Sequence, residues 1–191
     1  MPYREADQLN TYLFHEGTAI SAYEYMGAHA VTQDGAAGYM YRVWAPRAQA
    51  VSVVGDFNSW NPDAHPMEKI TQGIWECFVP GGQTYDAYKF AVTGADGIRR
   101  LKADPYAFHA ETRPGTASKL YTVEGYRWND ASWRESRHSQ PIYSAPLNIY
   151  EVHLGSWKRR ENGDFYDYRS LAKELAPYVK EMGFNYIELL P

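Results

Sequence analysis

Between Tyr39 and Val92 the chain is a series of short apolar runs cut by Gly, Pro, Asn and Asp. Tyr39-Met40-Tyr41-Arg42-Val43-Trp44 alternates, with Tyr39, Tyr41 and Val43 on one side, and Ala45-Pro46 ends it. Ala50 to Val54 is short and β-branched. Ile74 to Val79 alternates again before the turn Pro80-Gly81-Gly82, and Asp86 to Val92 alternates before Thr93-Gly94-Ala95-Asp96-Gly97. Period-two runs with turn punctuation predict a mainly β fold, an antiparallel β-sandwich over residues 36–125. From Leu101 to Val123 the chain is irregular, with Pro105 and Pro114 blocking helix and Lys119 to Val123 as a last edge strand.

On either side of this core the pattern changes. Residues 1–35 carry Tyr12, Leu13, Phe14, Tyr23, Tyr25 and Met26 without a sustained period, and read as an N-terminal arm lying against a neighbouring domain. Residues 126–146, polar and rich in Trp, Arg and Ser, read as a linker. From 147 to 191 the pattern is strand, helix, strand. Ile149 to Leu154 is the first strand. Asp167 is the helix N-cap, Leu171, Leu175, Val179 and Met182 recur at helical spacing, and Gly183 ends the helix. Pro177 inside that helix should cost about 3 kcal/mol unless the helix kinks. Phe184 to Leu190 is an apolar strand of the kind found in parallel sheets. Two strands and one helix cannot cover both faces of a sheet. The unit therefore reads as incomplete, frayed or held by association, within a longer protein.

The centre of the sandwich ends in Val53-Val54-Gly55-Asp56-Phe57-Asn58-Ser59-Trp60-Asn61, a loop that offers a flat ring beside amide groups. An indole can stack on the C–H face of a sugar while amides bond its hydroxyls. Trp60, Asn58 and Asn61 are therefore candidate carbohydrate contacts, although Trp60 could equally cover the sandwich edge. Alternation turns Tyr88, Phe90 and Val92 inward and Lys89 outward, as a sugar contact or as a solvated lysine. Trp75 shares a face with Cys77 and Val79 and reads as core, and Trp44 beside Pro46 fits either reading. Glu151, His153 and Glu188 lie on strands, but no spacing pairs them, and they read as structural. The Arg pairs 99–100 and 159–160 read as solvated faces.

Seventeen Tyr and six Trp in 191 residues suit both cores and sugar-binding surfaces. A net charge of −4 argues against a nucleic-acid or anionic-membrane partner. Cys77 alone cannot form an internal disulfide, and its neighbours read as packing. The six His residues show no metal-ligand spacing, and the glycines form no nucleotide-binding loop, so neither metal nor cofactor is expected. No signal peptide or spanning segment is apparent, which fits a cytoplasmic protein.

Several segments together resemble the glycogen branching enzymes, the 1,4-α-glucan branching enzymes of the α-amylase superfamily. They are YLFHEGT (Tyr12–Thr18), AYEYMGAH (Ala22–His29), YRVWAPRA (Tyr41–Ala48), VVGDFNSWN (Val53–Asn61), GIWE (Gly73–Glu76), YKFAV (Tyr88–Val92), KADPYAF (Lys102–Phe108), YEVHLGSWKR (Tyr150–Arg159) and YRSLAKELAPYVKEMGFNYIELLP (Tyr168–Pro191). The resemblance implies an immunoglobulin-like, glycogen-binding sandwich followed by the start of a (β/α)8 barrel. It implies sugar contacts at Trp60 and Lys89, and an α-1,4-glucan (glycogen, starch-like or maltooligosaccharide) as partner. The family cuts α-1,4 linkages and forms α-1,6 branches by a retaining double displacement, using an Asp and a Glu on later barrel strands. Those positions have no counterpart here, so catalytic residues are expected in a C-terminal barrel and not in this chain. A second stacking Trp expected after the Asp-Gly turn is also missing: Asp96-Gly97 is followed by Ile98-Arg99-Arg100. The alternative is a non-catalytic glycogen-binding or interaction module.

Overall fold

A computed structural model describes residues 5–139 and 143–190, the side chains from residue 8 onward. It divides into two compact units, Met1–Tyr126 and Arg127–Pro191. The first unit is an antiparallel immunoglobulin-like sandwich of two sheets. One sheet has the order β1 (Gly27–Gln33), β2 (Ala36–Trp44), β5 (Ile74–Pro80), β4 (Glu68–Thr71). The other has the order β3 (Ala50–Gly55), β6 (Ala87–Thr93), β9 (Ser118–Lys119), β8 (His109–Ala110), with β7 (Arg99–Lys102) also paired to β6.

Register explains how alternation becomes a core. Tyr39, Tyr41 and Val43 stand opposite Val79, Cys77 and Trp75, and all face inward. Val51, Val53 and Gly55 stand opposite Val92, Phe90 and Tyr88 in the other sheet. The two inner faces meet in one cluster that includes Tyr41, Val53, Trp75, Tyr88, Phe90 and Leu120. Tyr41 and Tyr88 meet edge to face at 5.3 Å. The Trp75 indole donates to Ala45 O at 3.0 Å, so this ring is core. Cys77 packs partly buried against the same cluster, and burial pushes its thiol up to about 11.

One polar network is buried with these rings. Tyr88 Oη donates to Asp104 Oδ2 at 2.6 Å, Tyr106 N donates to Oδ1 at 2.8 Å, and Asp104 N donates to Ser118 Oγ at 2.8 Å. Burial raises the Asp104 carboxyl above its ordinary value while these bonds pull it back down. The network ties β6, β9 and the intervening loop together, so the KADPYAF segment is a structural brace.

The expected arm over residues 1–35 is a helix, α1 (Glu5–Glu16), a short turn at Ala22–Glu24, and then β1, which pairs with β2 along its full length. Its sequence, GAHAVTQ, is too rich in small and polar residues to show a strand period. Phe14, Tyr25 and Met26 do pack, against Ile74 at the sandwich, whereas Tyr12 and Tyr23 stay exposed. The edge strand expected at Lys119 to Val123 is limited to Ser118–Lys119.

In the second unit the span expected as linker contains α2 (Ala131–Ser139), whose residues are all exposed. Beyond it, β10 (Ile149–His153) pairs in parallel with β11 (Tyr186–Leu190). Between them lie a short helix, α3 (Leu154–Trp157), and α4 (Tyr168–Glu181). Asp167 caps α4 by accepting from Ser170 N at 2.9 Å, and Gly183 follows the helix at φ 82°. Leu171, Leu175 and Val179 are buried, the last two with Val152, Tyr150 and Phe184. Met182 was expected in this stripe, but it is the C-cap residue and 56% exposed. The helix runs through Pro177 on its exposed side, where water can reach the Lys173 carbonyl that loses its partner.

Two predictions follow from this packing. Tyr88→Phe should lower stability by about 1–3 kcal/mol in urea unfolding, because Asp104 loses its phenolic donor while still buried. Ser170 and Arg160 hold the Asp167 carboxyl down from its ordinary 3.8 to about 2. A depressed carboxyl stabilises above the unfolded value and loses that contribution as pH falls through the folded one. Protection of the Ser170 amide, taken relative to its intrinsic exchange rate at each pH, should therefore fall between about pH 4 and pH 2, and Asp167→Ala should abolish that fall.

Candidate functional site

The loop after β3 starts at a point of very close contact. A Cβ on Gly55 would lie 2.4 Å from Ala87 O and 2.6 Å from the Phe57 ring, so only glycine lets β3 and the start of β6 meet here. Asp56 then bridges two elements. Its Oδ2 accepts from Ala87 N at 2.7 Å, and its Oδ1 accepts from Trp60 Nε1 at 3.0 Å. Phe57 turns inward, 5.7 Å from the Tyr41 ring. Ser59 and Trp60 both adopt left-handed backbone, at φ 52° and 58°, and Trp60 N closes the turn onto Gly55 O at 3.0 Å. The Trp60 ring is thus held at its indole nitrogen and its backbone while 37% exposed.

Asn58 does a different job from the one its sequence suggests. Its Oδ1 accepts from Gly55 N at 2.9 Å, and its Nδ2 donates to Val53 O at 3.0 Å and lies 2.9 Å from His65 Nδ1. This amide is a strut across the loop. Asn61 is exposed, and its Oδ1 accepts from Asp63 N at 3.0 Å. Asp63 in turn pairs with Arg99 at 3.0 Å.

Lys89 stands opposite Val54, the residue just before this loop, and on the outer face of its sheet. Its Nζ donates to Thr116 Oγ1 at 2.6 Å, which fixes the end of a long flexible chain. Thr116 was not singled out from sequence, because its position depends on a loop that returns from outside the period-two pattern. The β3–β6 pairing thus sets Lys89, with its ammonium held, opposite the residue from which the loop carrying the partly exposed Trp60 indole and the exposed Asn61 amide departs. Such a set can stack on one sugar face and bond its hydroxyls.

The acidic residues of the second unit are arranged otherwise. Sequence spacing does not pair Glu151 with Glu188, but the parallel register sets them directly opposite. Both are exposed on an open two-stranded face. A retaining pair needs one carboxyl kept protonated by an enclosed setting, which this face does not provide. His153 Nδ1 lies 2.8 Å from Ser156 Oγ, an arrangement that orients the ring locally. The Arg pairs are engaged at the surface: Arg100 with Asp96, Arg159 over the Phe165 ring and Arg160 with Asp167. Trp44 is 51% exposed, and its indole donates to Gln72 O at 3.3 Å. Among the described residues, no group of three His, Cys, Asp or Glu side chains could hold a metal ion. No helix among them is long and apolar enough to cross a membrane.

Residues 25–107 match the family model of carbohydrate-binding module 48, the isoamylase N-terminal domain. The chain is 50% identical over 181 residues to the 1,4-alpha-glucan branching enzyme GlgB of Halothermothrix orenii, covering 94% of this chain and 29% of that protein. It is 48% identical over 184 residues to the enzyme of the same name from Geobacillus stearothermophilus, covering 96% of this chain and 29% of the relative. The chain thus spans less than a third of the length of the curated relatives it matches, and it resembles them along nearly all of its own. Among solved structures, a pullulanase from Bacillus acidopullulyticus shares the fold, with a TM-score of 0.58 at 20% identity over 87% of this chain and 21% of that one.

Asn58→Ala should lower stability by about 1–3 kcal/mol, because it leaves the Gly55 amide and Val53 carbonyl without their partner. It should also increase the mobility of the Trp60 ring, measurable as a lower nitrogen-15 heteronuclear NOE at its indole N–H.

Proposed function

We propose that this chain is the N-terminal portion of a 1,4-α-glucan branching enzyme, and that its sandwich binds α-glucan through Trp60, Lys89 and Asn61. Asn58, Asp56 and Thr116 hold these groups in place. The observation that carries this reading is the Trp60 loop. A ring locked by Asp56 on a left-handed backbone, yet left partly open to solvent, is preorganised for a flat ligand. The similarity to branching enzymes along nearly the whole chain supports the glucan as that ligand.

The second unit would open a (β/α)8 barrel. Residues on both sides of β11 are exposed, including Tyr186, Ile187, Leu189 and Leu190, and Glu151 faces Glu188 across an uncovered sheet. These surfaces call for further strands and helices, which favours the enzyme reading over a self-contained binding module. The branching reaction would cut an α-1,4 linkage and rejoin the piece by an α-1,6 linkage. An Asp nucleophile and a Glu acid/base would act about 5 Å apart at the C-terminal face of the completed barrel. The residues present here supply binding and support, so the chain alone should not branch glucan. A cytoplasmic location, where glycogen is built, fits this role.

The test is affinity electrophoresis of the chain through gels with and without glycogen. Glycogen should retard the unaltered chain. Trp60→Ala should weaken the interaction about 3- to 10-fold, the scale of one lost aromatic contact, and Lys89→Ala should weaken it too. A folded chain that glycogen does not retard would contradict the proposal.

A further inference from the structure

The sheet that carries Lys89 bears a second group of rings. Tyr85, His109 and Tyr121 all touch: the ring centroids lie 5.4 Å apart for Tyr85 and His109, 5.7 Å for Tyr85 and Tyr121, and 5.4 Å for His109 and Tyr121. The base of the group is pinned. Tyr85 N donates to Leu120 O at 2.8 Å, Leu120 N donates to Asp86 O at 2.9 Å, and Leu120 itself is fully buried.

Strand register places this group relative to the candidate site. His109 stands opposite Lys119, and Lys119 stands opposite Ala87. Residues directly opposite share a face, as do residues two apart along a strand. Ala87 and Lys89 therefore lie on one face, with Lys119 and His109 beside them. The ring contacts bring Tyr85 and Tyr121 to His109 on that same side. Lys89 and Tyr85 are four positions apart, at most about 14 Å of chain.

Tyr85 is unusual in a second respect. Its φ is 78°, a region disfavoured for any residue with a β-carbon, and its side chain is 54% exposed. A ring left in solvent on a strained backbone brings the fold little packing in return. The Tyr85 and Tyr121 rings are inclined at 37°, so a ligand laid across the pair would meet a bent surface. Successive glucoses of an α-1,4-glucan turn relative to one another, so a bent floor suits such a chain better than a flat one. The negative faces of the rings suit sugar C–H groups, and the phenol hydroxyls can reach sugar hydroxyls.

We propose that Tyr85, Tyr121 and His109 form a second platform of the glucan site, where a chain already engaged at Trp60 and Lys89 lays down a further stretch of glucose rings. The proposal rests on the glucan-binding reading above, and it makes this face selective for longer glucans.

The test is titration calorimetry of the full chain with maltotriose and with maltoheptaose. Tyr85→Gly removes the ring and the backbone strain together, so its unfolding midpoint should match or exceed that of the unaltered chain. Its affinity for maltoheptaose should fall about 3- to 10-fold, with maltotriose affected less. Tyr121→Ala, as a second variant on ordinary backbone, should show the same pattern, whereas Trp60→Ala should weaken both ligands. If Trp60→Ala weakens binding while Tyr85→Gly and Tyr121→Ala bind maltoheptaose normally, the second platform is wrong and the glucan site stands. Equal losses for both ligands in the tyrosine variants would also overturn the extension. An unaltered chain that binds neither ligand overturns both readings, and the rings then serve packing against another protein surface.

Discussion

The Asp56 carboxylate joins the two parts on which the candidate site depends. One oxygen holds the first amide of β6, and the other holds the Trp60 indole. It can do so only because Gly55 lets the two strands approach to a distance that any side chain would prevent. The position of the indole is therefore set by the sandwich itself, through β6, the same strand that carries Lys89. A fixed ring and a fixed ammonium reduce the conformational entropy lost when a ligand binds. The sandwich core supplies the rigidity, through the Tyr41 and Tyr88 rings and the buried Asp104 brace behind them.

The two units show contrasting relations between surface and function. In the sandwich the apolar faces of the two sheets are turned toward each other, and the outer face of one of them carries Lys89, held by Thr116. In the second unit α4 covers one face of β10, while β11 keeps large apolar side chains in solvent and two glutamates stand side by side on the open face. Like charges set opposite each other are unfavourable unless something neutralises them. The barrel proposed above would cover this surface.

Most of the sandwich was legible because β2, β5 and β6 alternate, β3 is a short β-branched run, and each is bounded by turn residues. The parts that were not legible fail for identifiable reasons. β1 is built from Gly, Ala, His, Thr and Gln around a single Val, and β7 is Arg-Arg-Leu-Lys, so neither shows an apolar face. α2 has no buried stripe to reveal it. In the site, Trp60 and Lys89 were readable as a ring and a charge presented outward. The role of Asn58 was not, since an amide's partners are fixed by a loop closing on itself rather than by the residue type. The facing of Glu151 and Glu188 was hidden because parallel register depends on the whole strand–helix–strand path and not on local spacing.

The most direct test of the central claim, that the face built around Trp60 and Lys89 binds α-glucan, is a nitrogen-15 NMR titration of the chain with maltoheptaose. The account predicts shift changes at the Trp60 indole N–H and at the amides of Asn61, Lys89 and Thr116, with the β1–β2–β5 sheet unmoved. Changes confined to that other sheet, or none at saturating glucan, would contradict it.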